Sequence, residues 1–196
     1  MSGHHDDAPI AAQVRGLEAL LEDRGLVDAR ELDRALEAFL AGSSPAGAAR
    51  AVARAWTDDD FRRRLLDDAN ATLPDVGLSM GGGLQEQRLK VVENTAAVHN
   101  VIVCTLCSCY PIAVLGPSPT WYKSEAYRSR VVRDPRGVLA EFEFDPGPDV
   151  EITVWDASAE SRYMVLPRRP EGAETLDEDE LAALVTRNGL IGVAAV

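Results

Sequence analysis

All three cysteines of this 196-residue chain lie within six residues, at positions 104, 107 and 109 of the segment VCTLCSCY. Because no cysteine remains elsewhere, the chain cannot build a disulfide framework, and its length allows a sizeable packed core instead. Three thiols crowded into one loop of a cytosolic protein are typical of metal binding or catalysis. Residues 104–109, the cysteine loop, are therefore the first candidate for a functional site.

The chain is strongly acidic. It has 20 Lys and Arg against 32 Asp and Glu, which gives a net charge of −12. This balance argues against nucleic acid or an anionic membrane as a partner. No segment approaches the roughly 18 apolar residues of a membrane helix, and the start MSGHHDDAPI lacks the features of a secretory signal. The sequence thus predicts a soluble, cytoplasmic protein.

Helical periodicity dominates the first third of the chain. The apolar spacing predicts helices over residues 9–24, 28–42, 45–56 and 58–70, with Gly25 ending the first and Thr57 capping the fourth. A glycine-rich stretch near residues 74–86 then marks a boundary. We expect a helical N-terminal arm over residues 1–75, which either forms a small bundle or wraps around a second polypeptide.

Runs rich in β-branched and aromatic residues follow this boundary. They cover residues 88–94, 99–104, 150–156, 161–167 and 190–196. Helical patterns separate them at residues 123–134, 135–142 and 177–188, and Thr175 with Glu178 has capping-box spacing. The predicted fold class is therefore α+β, with the arm followed by an α/β domain over residues 76–196 that has two layers of strands flanked by helices.

The C-x-x-C-x-C spacing allows several kinds of site. Structural zinc needs a fourth ligand, and His99 lies in a predicted strand where a packed side chain is more typical than a ligand. A thioredoxin-like dithiol should open a helix, and iron–sulfur clusters usually take four thiolates. Metal binding is favoured by the spacing, and a redox dithiol remains the alternative.

The inner Cys-Ser-Cys adds main-chain ligands. If the sulfurs of Cys107 and Cys109 bind one metal, the nitrogens of Ser108 and Cys109 can bind it too, closing unstrained five- and six-membered rings. Such nitrogens must lose their protons, which favours a trivalent ion over zinc. Cys104 can supply an axial sulfur, so that one octahedral position stays open for Lewis acid chemistry. The resulting site is anionic and needs positive neighbours.

The segment NVIVCTLCSCY resembles the metal-binding loop of nitrile hydratase α subunits. The resemblance covers nearly the whole chain, including LEALLEDRGLVD, VVENT, PTWYKSEAYRSRVVRDPRGVL, EITVWDASAESRYMVLPRRPEG and ELAALVTRNGLIGVA in the same order. It implies a hydro-lyase of nitrile metabolism that hydrates a nitrile to an amide at a low-spin trivalent metal. The implied ligands are Cys104, Cys107, Cys109 and the main-chain nitrogens of Ser108 and Cys109, with Cys107 oxidised to a sulfinic acid and Cys109 to a sulfenic acid.

The resemblance also implies roles for other residues. Thr105 stands where cobalt members have threonine and iron members have serine, so cobalt(III) is preferred over iron. The Cys109 sulfenate is the candidate nucleophile, with water as the alternative, and Gln85 is expected to act near the metal pocket. Three polar residues are expected to tie the site to a partner subunit, namely Asp156, Glu160 and Arg162.

The implied partner is a β subunit, either one chain or two smaller chains, which gives a hetero-oligomer and supplies arginines to the oxidised sulfurs. The isolated chain should then be catalytically weak, and Arg128, Arg130 and Arg133 are expected to face solvent or the partner. The sequence leaves open whether an activator protein, or metallochaperone, loads the metal.

One departure from the family pattern concerns the substrate. Members commonly read C-S-C-x-x-W-P, whereas Ile112 and Ala113 stand at the last two of these places here. Loss of a large aromatic wall predicts a roomier pocket, which would admit bulky nitriles such as the nucleoside antibiotic toyocamycin. Two other functions remain open: the metal-binding subunit of thiocyanate hydrolase, which carries the same loop, and a non-catalytic metal-binding or redox-sensing protein.

Overall fold

The computed structural model describes residues 8–80, 87–107 and 109–196. Its contacts divide the chain into two compact units, Met1–Gly42 and Ser43–Val196. The first unit contains helices α1 (Ala8–Asp23) and α2 (Ala29–Gly42). Gly25 follows α1 at a φ of 66°, a region that glycine enters without steric cost, so α1 ends where the sequence predicts. Both helices carry exposed large apolar side chains: Ile10, Val14, Leu17, Leu20, Leu32, Leu36 and Phe39.

The second unit contains the remaining helices and all four strands of the described residues. Its helices are α3 (Pro45–Thr57), α4 (Asp59–Asp67), α5 (Ala69–Thr72), α6 (Ile112–Leu115), α7 (Glu125–Arg130), α8 (Pro135–Glu141), α9 (Glu178–Leu184) and α10 (Arg187–Ile191). The strands are β1 (Arg88–Glu93), β2 (Val98–Val103), β3 (Glu151–Asp156) and β4 (Ser161–Leu166). Short 3₁₀ turns cover Leu73–Val76 and Thr120–Lys123. Within the described ranges, none of the helices combines the length and apolarity that a membrane span requires.

The strands form two separate parallel pairs. Strand β1 pairs with β4, from Arg88 opposite Ser161 to Glu93 opposite Leu166. Strand β2 pairs with β3, from Val98 opposite Glu151 to Val103 opposite Asp156. Parallel neighbours require long connections, and helices supply them here. The predicted mixed fold, in which a helical arm precedes strands flanked by helices, is confirmed.

The contacts place helices α3 and α4 in the same unit as the strands, while the predicted domain boundary near residue 75 stays a prediction. The glycine-rich stretch suggests a joint near residue 75, but the contacts divide the chain after Gly42. The reason is that α3 and α4 bury side chains in the same core as the strands: Val52 and Phe61 belong to one cluster with Val101 and Met164. These two helices therefore pack in the same hydrophobic core as the strands.

Two helix starts differ in detail from the predicted caps. Asp58, not Thr57, caps α4, because its side chain accepts a hydrogen bond from the Phe61 nitrogen at 2.9 Å. At α9 the capping box joins Asp177 and Glu180 rather than Thr175 and Glu178. In both cases an aspartate adjacent to the first turn takes the role.

The predicted strand over residues 190–196 is wrong. Helix α10 occupies the start of this segment, capped by Thr186, whose hydroxyl accepts from the Gly189 nitrogen at 3.1 Å. It ends at Gly192, which has a φ of 89°. A side chain at position 192 would overlap the carbonyl of Asn100. The close approach to β2 therefore requires a glycine at position 192. The positive φ of this glycine interrupts the extended backbone that a strand would need.

Candidate metal centre

The cysteine loop begins at the carboxyl end of β2. Val103 is the last residue of this strand and lies opposite Asp156, the last residue of β3. The Ala157 nitrogen continues the ladder by donating to the Val103 carbonyl at 2.7 Å. Because both parallel strands end at the same edge, residues that follow them are brought together there. Cys104 is the first residue beyond this edge.

The three sulfurs of the loop converge. The Cys104 and Cys107 sulfurs are 3.2 Å apart, the Cys107 and Cys109 sulfurs are 3.0 Å apart, and all three lie within 4.8 Å of one another. Cys104 is buried, Cys109 is half-buried and Cys107 is exposed. The Cys107 nitrogen also donates to the Cys104 sulfur at 3.3 Å. The loop thus folds around a common point that is open to solvent on one side.

This donor set fits a transition metal with affinity for sulfur. Thiolate sulfur is the ligand that such ions prefer, and in the described part of the chain these cysteines form the one cluster of three His, Cys, Asp or Glu with this spacing. Two of the five ligand atoms expected from the sequence are main-chain nitrogens. One of them is the nitrogen of Ser108, which lies outside the described residues. Ligation by the Ser108 nitrogen therefore stays a prediction.

The chain opposes ionisation of the Cys109 thiol. Burial raises the pKa of this thiol to about 12, the hydrogen bond with Cys107 acts in the same direction, and the charge of Arg162 acts against both. A thiol of this kind stays protonated at neutral pH unless a Lewis acid displaces the proton. Its use as a ligand thus depends on a metal ion that displaces this proton.

His99 supplies no fourth ligand. Its Nε2 faces the Gly192 carbonyl at 2.8 Å and its Nδ1 faces the Asn94 amide at 3.1 Å, so both ring nitrogens are engaged. The side chain is buried and packs against Phe144. The interpretation of His99 as a packed side chain is confirmed.

Thr105 and Asp156 are brought together. The Thr105 nitrogen donates to one carboxylate oxygen of Asp156 at 2.9 Å, and the Thr105 hydroxyl donates to the other at 2.5 Å. Asp156 is exposed at the end of β3. The carboxylate therefore fixes the main chain directly after Cys104.

Two contacts to main-chain carbonyls hold the rest of the loop. The Tyr122 hydroxyl donates to the Cys109 carbonyl at 3.1 Å, and the Arg128 Nη1 donates to the Cys107 carbonyl at 2.6 Å. The sequence predicts that Arg128 faces solvent or a partner, and this stays a prediction, whereas Arg130 and Arg133 are exposed. The aromatic segment PTWYKSEAY signals a packed element, but no spacing in the sequence indicates which carbonyls its polar atoms reach.

Glu160 lies on the β3–β4 connection, and Arg162 lies on strand β4, close enough to Cys109 to act on its thiol. Arg162 is only 8% exposed, and its Nη1 donates to the carbonyls of Ser158 and Ser161. Glu160 is exposed, and its carbonyl accepts from the Arg88 nitrogen at 2.9 Å. Their expected role in tying the site to a partner remains a prediction.

Two further site residues are expected from the sequence, Gln85 and Ile112, and the structure describes one of them. Gln85 lies outside the described residues. Ile112 begins α6, three positions after Cys109, and is 38% exposed. Its side chain is thus accessible, and its expected role in a substrate pocket remains a prediction.

The comparisons with known proteins agree on one family. The family model described as nitrile hydratase, alpha chain, matches residues 8–194. The chain is 53% identical to the low-molecular weight cobalt-containing nitrile hydratase subunit alpha of Rhodococcus rhodochrous, over 94% of this chain and 88% of the relative.

Solved structures of similar fold include a nitrile hydratase and a thiocyanate hydrolase. A double mutant of the Fe-type nitrile hydratase from Comamonas testosteroni Ni1 is similar with a TM-score of 0.89 and 39% identity, over 97% of this chain and 91% of the other. A recombinant thiocyanate hydrolase comprising partially modified cobalt centres is similar with a TM-score of 0.87 and 38% identity, over 94% and 88%. The sequence match, the shared fold and the converging cysteines lead to one conclusion: the chain belongs to the nitrile hydratase alpha chain family.

Proposed function

We propose that this chain is the metal-binding α subunit of a cobalt-type nitrile hydratase, which hydrates a nitrile to the corresponding amide together with a β subunit. The observation that carries the proposal is the convergence of the Cys104, Cys107 and Cys109 sulfurs within 4.8 Å. A reaction that adds water across a C≡N bond needs an electrophilic activator, and this donor set suits one.

The three sulfurs and the main-chain nitrogens of Ser108 and Cys109 would hold the metal. Trivalent cobalt bound there would supply the Lewis acidity that makes the nitrile carbon electrophilic. Cobalt is preferred over iron because Thr105 follows the first cysteine and because the relative at 53% identity is named as cobalt-containing. The Fe-type structure is less similar, at 39% identity.

The side chains of the loop would divide the remaining work. Cys109, as a sulfenate, would place its oxygen for attack on the nitrile carbon. Water would then add to the same carbon, and the bond between this carbon and the sulfenate oxygen would break, which returns the sulfenate. The water molecule thus supplies the amide oxygen and the two protons that the product gains. Cys107, as a sulfinate, adds negative charge that cationic neighbours must balance. Asp156 keeps Thr105, and with it the start of the loop, in a fixed position. Gln85 would lie near the metal pocket and influence the rate of nitrile hydration.

A β subunit would complete the site. Leu106 lies between the metal-binding cysteines and is 92% exposed, and the apolar residues of α1 and α2 are exposed as well. A large apolar side chain in that position favours burial against another chain. The partner would also supply arginines to the oxidised sulfurs, with Glu160 and Arg162 on the contacting side. We place the complex in the cytoplasm, where three free thiols stay reduced until the metal is loaded.

The substrate would be a bulky nitrile. The accessible Ile112 stands where family members commonly have tryptophan. Its smaller side chain would leave more room beside Cys109. A heteroaromatic nitrile would fill this room better than acrylonitrile. Comparison of kcat/KM for the two substrates tests the assignment, and a strong preference for acrylonitrile would contradict it.

The experiment that tests the main proposal is co-expression with the β subunit in cobalt-supplemented medium. We expect cobalt in the purified complex, mass gains of two oxygens on Cys107 and one oxygen on Cys109, and conversion of nitrile to amide. Zinc with unmodified thiols and no turnover would instead indicate a non-catalytic metal-binding protein. The same preparation should be assayed with thiocyanate, since thiocyanate hydrolase is similar to this chain at 38% identity. Release of carbonyl sulfide and ammonia without amide formation would favour that second function.

A further inference from the structure

We propose that Arg128 is a positioning residue of the metal centre, which orients the main chain of the cysteine loop and balances the negative charge of the loaded site. The inference rests on the proposed function, because it concerns the charge that the loop carries once a metal is bound. It assigns to this chain a cation that the sequence places in solvent or against the partner.

The contact itself is short and charge-assisted. The Arg128 Nη1 donates to the Cys107 carbonyl at 2.6 Å. Hydrogen bonds from an ionised donor are stronger than neutral ones, and a guanidinium keeps its charge at any physiological pH. The carbonyl belongs to the peptide unit that joins Cys107 to the next residue, so the guanidinium acts on the main chain between two expected ligands.

Helix α7, which carries Arg128, is attached to the strand that leads into the cysteine loop. The helix begins at the Ser124 cap, whose hydroxyl accepts from the Tyr127 nitrogen at 3.2 Å. The adjacent Tyr127 hydroxyl donates to the Ile102 carbonyl of β2 at 2.7 Å, and its ring packs on Trp121. Helix α7 is thus bonded to the strand that leads into the cysteine loop. The guanidinium therefore loses little conformational entropy when a metal binds the loop.

The loaded site needs such a cation. Three thiolates and two deprotonated amide nitrogens around a tripositive ion leave two negative charges, in a chain whose net charge is already −12. The side chain of Arg128 is partly buried, and its Nε is buried without a hydrogen-bond partner. A partly desolvated charge pair is screened less by salt than an exposed one. Arg162 is a second nearby cation, but its Nη1 donates to the carbonyls of Ser158 and Ser161.

The test compares four forms of the cobalt-loaded complex with the β subunit: the wild type, Arg128→Gln, Arg128→Lys and Arg130→Gln. Arg130 is the matched control, because it lies on the same helix but pairs with Glu141 at 2.6 Å. Each complex is incubated with a chelator, and cobalt per α chain is measured over time together with the sulfur-to-metal charge-transfer absorption. Thermal unfolding midpoints show whether each variant is folded.

We expect Arg128→Gln to lose cobalt about 10- to 100-fold faster than the wild type, the range typical of residues that support metal ligands. The charge-transfer band should shift, because the electron density on the loop changes. Arg128→Lys keeps the charge without the planar fork and should lie between the two. Arg130→Gln should match the wild type.

Two results would overturn the inference. If Arg128→Gln retains cobalt as well as Arg130→Gln does, with an unshifted band, Arg128 has no positioning role while the proposed function stands. If the wild-type complex itself holds neither cobalt nor iron, the proposed function fails and this inference fails with it. Should Arg128→Gln not fold, Arg128→Lys against Arg130→Gln decides by the same two readouts.

Discussion

The carboxylate of Asp156 accepts two hydrogen bonds from Thr105, one from the main-chain nitrogen at 2.9 Å and one from the hydroxyl at 2.5 Å. The two residues are 51 positions apart in the sequence. They meet because β2 and β3 pair in parallel and both end at this edge, with Val103 opposite Asp156. The anchoring of the cysteine loop is therefore a property of the sheet and not of the loop alone.

Replacement of Asp156 tests this anchor. Asp156→Ala removes both acceptors, leaves the Thr105 main-chain nitrogen without its partner, and frees the main chain after Cys104. We expect kcat/KM for nitrile hydration to fall by about 10- to 100-fold, with a parallel loss of cobalt per chain. Glu151→Ala is the matched control, because Glu151 is an exposed acidic residue at the opposite end of the same strand. Equal activity and cobalt content in the two variants would contradict the role of Asp156.

Tyr127→Phe tests the attachment of α7 to β2. The substitution removes the hydroxyl that donates to the Ile102 carbonyl at 2.7 Å, in a side chain that is 5% exposed. A buried carbonyl that loses its donor should lower the free energy of unfolding by about 1 kcal/mol. In a chain of this size the thermal unfolding midpoint should fall by about 2–4 °C. Tyr163→Phe, whose ring stays in contact with Trp155, serves as the control, and an equal shift in both variants would speak against the contact.

His99 should make stability depend on pH. The Asn94 carbonyl oxygen accepts from the Asn100 nitrogen at 2.7 Å, so its amide NH₂ faces the His99 Nδ1, and the Nε2 proton donates to Gly192. Burial lowers the pKa of His99 below its ordinary value of 6.5, while the bond to Gly192 opposes this. Because the folded state favours the neutral ring, the contribution is complete above pH 6.5 and is lost as the pH falls below it.

Urea unfolding measured at neutral pH and at about pH 5.5, which is above the carboxylate range, isolates this effect. The wild type should be less stable at the lower pH, and His99→Gln should reduce the difference. Four charged residues line the same cavity as His99, namely Asp145, Arg168, Arg169 and Glu171. An unchanged pH difference in the variant would exclude His99 as its source.

Ile112→Trp tests the proposed pocket. A tryptophan at the start of α6 adds a large ring next to the cysteine loop and should narrow the site. We expect kcat/KM for a heteroaromatic nitrile to fall by about 10-fold or more relative to that for acrylonitrile, with cobalt content unchanged, because one poorly accommodated group costs on the order of 1–3 kcal/mol. A ratio that stays constant would place Ile112 outside the substrate pocket.

The sequence predicts most of the regular structure because the periodic signals are strong. The helices of the first 70 residues and the strands that begin at Arg88, Val98, Glu151 and Ser161 lie where the apolar patterns indicate them. The terminal segment fails because a short apolar run does not distinguish a strand from a buried helical turn. There the decision comes from Gly192, whose close approach to Asn100 is a tertiary contact.

The same division applies to the site. The spacing of the cysteines alone indicates a metal site, since residues two and three positions apart can share an ion without help from the rest of the fold. The supports of the loop depend on which elements pack beside it. Neither the Tyr122 hydroxyl on the Cys109 carbonyl nor the Arg128 guanidinium on the Cys107 carbonyl follows a local pattern. These contacts depend on the tertiary packing of residues that are distant in the sequence.

The parallel register of β2 with β3 has a consequence for how chains of this kind can change length. The residues that separate the two strands form helices and turns whose connections return the chain to Glu151, opposite Val98. An insertion in the turn between α8 and β3 would lengthen the chain and leave Asp156 beside Thr105. A deletion within β3 would carry the carboxylate out of reach, so the anchor of the loop depends on the length of the strand and not on the length of the connection.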